Sequence, residues 1–300
     1  MKVLLAALVH TALAADKSVT TADGTVLKIL GQSGKMELSH PDLAGDARVQ
    51  IKSVTEVDKQ GNAVGNTGSN KHSFNSFASQ DFSFGEATTG PYNGGSSLRA
   101  TSVPFSCKLL NGAADFGVQS HLMLEKGSVT EGNETSSISV GSLKFSFNIS
   151  GWEFCKAGGT GNAKCSKGNV DQVGAALDVV VYIDAKGADP VPAPSTNSSS
   201  NATNATALPL AGGGKLELAR RLRVDGAWQT MEDGYPKSVT KGKQTQITIR
   251  FPRFASAVYY DPIVTLASAG TAGNGASARA PALGASLMVA ALVVLQAAAM

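Results

Sequence analysis

Ser142-Leu-Lys-Phe-Ser-Phe-Asn-Ile-Ser150 alternates without interruption: Leu143, Phe145, Phe147 and Ile149 are apolar, and Ser142, Lys144, Ser146, Asn148 and Ser150 are polar. A period of two belongs to a β-strand with one face in a core and the other in water. The segment therefore reads as a strand whose Lys144, Ser146 and Asn148 are solvated. The same pattern returns in Leu177, Val179, Val181 and Ile183, in Ile247, Ile249 and Phe251, and in Leu216, Leu218, Leu222 and Val224. In that last run Arg220 is in register with the apolar set, which calls for an edge, a bulge or a paired buried charge.

Less regular strands are expected at 25–30, 48–57, 74–84, 98–106, 118–125 and 258–266. No stretch of twelve or more residues between the ends carries the i, i+3, i+4, i+7 stripe of an amphipathic helix. Glycine, at 33 of 300 residues, exceeds the usual ~7% and suits frequent turns better than long helices. About ten strands punctuated by Gly, Asn, Asp and Pro predict an all-β fold: an antiparallel β-sandwich, jelly-roll-like, in a single domain over residues 15–267.

The two ends read as addresses. Met1-Lys2, an apolar run from Val3 to Val9 and the small residues around Ala14 form a signal-peptide pattern over residues 1–14. Residues 283–300 are apolar and uncharged. Before them, residues 268–282 hold small residues and then a spacer containing Arg279 and Pro281. That order is the GPI-attachment pattern, with the hydrophobic tail removed in the mature form. Ser268 or Gly270 as attachment residue leaves a spacer within the usual ~8–12 residues, and Asn274 leaves a shorter one. A transmembrane tail is the alternative. Loss of Lys2 and Arg279 with the ends would leave 24 basic against 23 acidic residues. Such a balance gives polyanions little to hold, so nucleic acid is not an expected partner.

Five Asn-x-Ser/Thr triplets occur, at Asn133, Asn148, Asn197, Asn201 and Asn204. Three of them crowd a Pro/Ser/Asn-rich stretch, residues 189–213, which reads as a solvated, glycosylated excursion from the domain. Asn148 falls on the wet face of its own strand, where a glycan needs it. Of three cysteines, Cys155 and Cys165 bracket a Gly-rich turn and are expected to form a disulfide, leaving Cys107 buried and free; pairing with Cys107 is the alternative. No clustered His spacing accompanies these sulfurs, so no metal and no cofactor are expected.

Catalytic motifs are absent: there is neither Gly-x-Ser-x-Gly nor His-Glu-x-x-His. A triad assembled from distant positions stays open. His121 reads as a strand residue and His40 as a turn residue. Asp58-Lys-Gln-Gly-Asn62 reads as a hairpin turn, with a calcium loop as the weaker alternative. The aromatic groups Trp152/Phe154, Trp228, Tyr235, Tyr259/Tyr260 and Phe251/Phe254 read as core more often than as ligand platforms. The expectation is a GPI-anchored, N-glycosylated glycoprotein on the extracellular face of the plasma membrane, reached by the secretory pathway. It would be non-catalytic, adhesive or matrix-contacting, and would meet an extracellular protein or glycan. The alternative is a lectin-like or glycan-hydrolysing surface protein.

Overall fold

The computed structural model describes residues 15–41, 46–65, 72–78, 80–92, 97–109, 114–131, 134–160, 165–167, 170–186, 206–209, 214–241 and 244–265. Among these no helix occurs. Numbered along the chain, the strands begin with β1 (Lys17–Thr20), β2 (Val26–Ile29), β3 (Met36–Ser39), β4 (Asp46–Val57), β5 (Ser73–Phe74), β6 (Ser83–Phe84), β7 (Thr88–Pro91), β8 (Arg99–Leu109) and β9 (Ala114–Met123). A ribbon of β10 (Gly127–Glu131) and β11 (Glu134–Ile138) precedes β12 (Leu143–Ser150). A second ribbon, β13 (Cys165–Lys167) and β14 (Val170–Gln172), precedes the long β15 (Ala176–Lys186). The remainder are β16 (Thr206–Pro209), β17 (Lys215–Leu218), β18 (Arg221–Val224), β19 (Ala227–Thr230), β20 (Lys237–Lys241), β21 (Gln244–Pro252), β22 (Ala257–Tyr260) and β23 (Ile263–Thr265).

Two antiparallel sheets pack face to face as a β-sandwich. The first runs β1-β2-β3-β4-β15-β21-β20, with β5 on β4. The second runs β16-β17-β23-β12-β22-β18-β19; β9 lies on the other side of β12, followed by β8 with β6 and β7. Strands from after residue 214 thus pair with strands from before residue 187 in both sheets: β21 with β15, and β22 and β23 with β12. The inner faces meet in one core, where Leu143, Phe145, Phe147 and Ile149 join Leu177, Val179, Val181, Ile247, Ile249 and Phe251. Phe147 packs edge-on against Phe251 of the other sheet, tying the two together, and against its own sheet neighbour Tyr260.

Several local expectations need correction. Residues 74–84 do not form one strand: β5 pairs with β4 of the first sheet and β6 with β8 of the second. The chain crosses between sheets there, and the crossing drops Phe77 into the core. The 216–224 run also splits, because β17 pairs with β16 and β23 while β18 pairs with β19 and β22. At the break, carbonyls that leave the ladder are taken up by the Tyr260 hydroxyl on Ala219 and the Met231 N–H on Arg220, at 2.9 and 2.7 Å. Arg220 itself reaches Asp233 at 3.2 Å. The 258–266 run is divided at Asp261-Pro262, and the Pro262 carbonyl accepts from Phe145 N–H. Within the Pro/Ser/Asn-rich stretch, Thr206–Pro209 is a strand on β17 with Leu208 in the core, not a solvated loop.

The correction with most consequence concerns β12. Its outward face is not wholly wet: Ser142, Lys144 and Ser146 are buried, and Lys144 is only 1% exposed, whereas Asn148 is exposed. Over Lys144 the β10–β11 ribbon is the cause. Val129 and Ile138 pack with Tyr92, Leu98, Ala100, Met123 and Ile263 in a second, smaller core on the far side of the sheet. The register sets Ile263 directly across from Lys144, so the ribbon's core closes over that end of β12.

Candidate functional site

The outer face of the second sheet divides into a roofed half and an open half. Under the ribbon, the register lines up Ser102, His121, Lys144 and Ile263 across four strands. Lys144 Nζ lies 2.7 Å from Asp261 Oδ2 and 3.1 Å from Glu131 Oε2. Tyr259 donates to Asp261 at 2.9 Å and Tyr92 donates to Glu131 at 3.0 Å. An ammonium this deep survives only if paired and hydrogen-bonded.

Two carboxyls facing one ammonium cannot both ionise cheaply. Burial, then the hydrogen bond and charge of Asp261, push Glu131 up to about 8. Burial also pushes Asp261 upward, but the Lys144 charge and hydrogen bonds from Glu131, Lys144 and Tyr259 outweigh it and hold Asp261 below its usual range. Glu131 thus tends to keep its proton while Asp261 is the carboxylate that faces the Lys144 ammonium. Burial and the neighbouring carboxylates raise both phenols, so Tyr92 and Tyr259 stay donors.

His121 sits beside this cluster with Nδ1 2.7 Å from Ser102 Oγ. The pair looks like a base and a nucleophile, but burial pushes the imidazole down to about 4, far from the near-neutral value that general-base work favours. The space at the cluster's mouth, between Trp228, Arg221 and Glu217, is about 20 Å³, enough for a water and too little for a substrate. The arrangement can store a proton and fix a ribbon; it offers no room for turnover.

The open half is a groove of about 350 Å³ lined by Ser83, Pro104, Ser106, Gln119, Ser146, Asn148 and Tyr259, among others. No lining residue is charged. Glycosidase chemistry needs two carboxyls ~5 Å or more apart across the sugar, so the hydrolase alternative finds no footing in this groove.

Glu56 organises the opposite end. This buried carboxylate accepts from Trp152 Nε1 at 2.9 Å, from Cys155 N–H at 2.8 Å and from His72 Nδ1 at 2.9 Å. A Cβ on Gly174 would stand 1.6 Å from Glu56 Oε1, so only glycine fits there. Cys155 and Cys165 are joined as a disulfide, with Cα atoms 5.4 Å apart. His72 and the two sulfurs bring ligand atoms within 4.8 Å of one another. Zinc takes thiolates, and the disulfide leaves none. Sequence spacing had not placed His72 here, because the fold brings it from residue 72 to residue 155. Cys107 is free and buried, its thiol pushed up to about 12 by burial and by Asp115.

Asp58 holds a turn: its carboxylate takes the N–H groups of Gln60 and Asn62 at 2.9 and 2.8 Å. Trp152, Phe154, Phe251, Phe254 and Tyr260 are core; Trp228, Tyr235 and Tyr259 are half-buried. Asn133, Asn197, Asn201, Asn204, Ser268, Gly270 and Asn274 lie outside the described residues, as do residues 1–14 and the hydrophobic tail.

No solved structure gives a significant match to this chain. A family described as acidic skeletal organic matrix protein matches residues 6–297, almost the full length. The chain belongs to that family, and is accordingly an extracellular, matrix-associated protein.

Proposed function

We propose that this protein is a GPI-anchored, N-glycosylated surface glycoprotein that holds skeletal organic matrix against the cell through its β-sandwich, without catalysis. The observation that carries the reading is the family match over residues 6–297, which makes the matrix the setting in which the sandwich works. The signal-peptide pattern at 1–14, the sequons, and the small-residue, spacer and apolar order of residues 268–300 support export and lipid anchoring. The uncharged groove supports display over hydrolysis there, and in the wider space of about 670 Å³ beside Trp152 and Phe154, which Glu153 and Asp225 line, the Asp225 carboxylate is already taken up by the N–H groups of Ala255, Ser256 and Ala257.

The family's description speaks of acidity, which this chain lacks: 26 basic residues stand against 23 acidic ones. Its matrix contact therefore rests on shape, hydrogen bonding and glycans rather than on an anionic surface. Treating intact expressing cells with phosphatidylinositol-specific phospholipase C tests the anchor. The expected result is release of protein that ends at Ser268, Gly270 or Asn274 by mass spectrometry. Surface protein that resists release and retains residues 283–300 would assign a transmembrane tail instead.

A further inference from the structure

We infer that the groove on the open half of the second sheet seats the first sugars of a glycan carried on Asn148. This rests on the proposed passage through the glycosylation machinery and goes beyond it by giving that one glycan a built site.

The row of residues across the sheet is Tyr259, Asn148, Gly117, Ser106 and Ser83, each facing the next in register. Asn148 is the exposed member of β12 and heads the triplet Asn148-Ile149-Ser150. Beside it, Gly117 contributes no side chain, which leaves a shelf at strand level between Asn148 and Ser106. A Cβ on Gly117 would stand 2.3 Å from Asn148 Oδ1, while Asn148 Nδ2, the atom that bears a sugar, is farther at 3.8 Å. Glycine at 117 therefore lets the amide lie with its oxygen turned onto the sheet.

The groove's chemistry suits an N-acetylglucosamine core. Its lining offers the exposed hydroxyls of Ser83 and Ser106, the amide of Gln119 and the half-buried ring of Tyr259, with no charge. Neutral donors and acceptors match sugar hydroxyls and the acetamido group, and an aromatic wall suits a sugar face. A volume of about 350 Å³ lies at the lower end of small-molecule sites, ~300–1,000 Å³. Tethering at the groove itself gives the sugar a high effective concentration, so weak contacts suffice to keep it seated.

The test is endoglycosidase digestion of the native, folded glycoprotein with site-resolved mass spectrometry. The Asn148 glycan is expected to leave at least about tenfold more slowly than those on Asn197, Asn201 and Asn204, equivalent to ~1.4 kcal/mol of protection. All sites should be cleaved alike after unfolding. Ser106→Arg fills the shelf from an exposed position and is expected to bring Asn148 release up to the rate of the other sites. Equal native rates would overturn the inference and leave the glycoprotein reading intact. So would a bare Asn148 beside occupied sites at 197–204, including the case in which the bare groove takes up added chitobiose. Carbohydrate on none of the sequons would overturn both.

Discussion

Glu131, Asp261 and Lys144 balance charge by leaving a proton on Glu131, and that balance depends on pH. Glu131 titrates near 8 in the fold and near 4.3 in an unfolded chain. Its contribution to stability is full below the unfolded value and is lost as pH rises through about 8. His121 works in the other sense: its folded value near 4 lies below the unfolded ~6.5, so its contribution is present above 6.5 and lost as pH falls through 4. Between about 4.5 and 6.5 the two slopes oppose each other; from 6.5 to 8 only the Glu131 loss remains. Wild-type stability is expected to fall by about 1–2 kcal/mol over that upper interval. In Glu131→Gln, which keeps the shape and cannot ionise, the fall should vanish. Urea titrations at pH 6.5 and 8 read this directly, and parallel losses in both proteins would refute the assignment.

At the scale of elements, the β10–β11 ribbon turns a solvent-facing strand face into an interior. Val129 and Ile138 anchor it, and without that roof His121 and Lys144 would meet water. Truncating both anchors, Val129→Ala with Ile138→Ala, removes buried methyls at a cost of about 2–4 kcal/mol. The more specific outcome is on His121, whose imidazole is expected to move from about 4 toward its ordinary value as water enters. Proton NMR titration of the ring checks it; an unmoved value in the folded double variant would mean that something other than the ribbon excludes solvent.

At the scale of the molecule, the sandwich is closed by strands from both sides of residues 187–205. β21 lies between β15 and β20 in the first sheet, and β22 and β23 lie on β12 in the second. A chain nicked in that stretch should therefore stay assembled. Limited proteolysis between residues 190 and 205 is expected to give two fragments that co-elute until denaturant is added. Fragments that separate in native buffer would show two independent units. The interlocking follows from pairing across nearly the full length of the chain, which a small C-terminal unit of its own could not replace.

The material of the fold is legible in the residue pattern alone. Strict alternation in 142–150, and the apolar set at 177, 179, 181 and 183, call for two-faced strands, and the absence of a 3.6-residue stripe leaves no helix to cover them, so a sandwich of antiparallel sheets follows. The brackets around the Gly-rich turn likewise put Cys155 within reach of Cys165. Which polar faces stay wet, by contrast, follows from how the elements pack. Lys144 and Asn148 are equivalent by pattern, four residues apart on one face, yet one is sealed under a ribbon and the other lies open in a groove. Glu56 gathers His72 from 16 residues away and Trp152 from 96, and Glu131 meets Asp261 across 130 positions. Alternation records a side chain's direction from its own strand; whether another element closes over that direction is a property of the whole chain's path, to which local periodicity is blind.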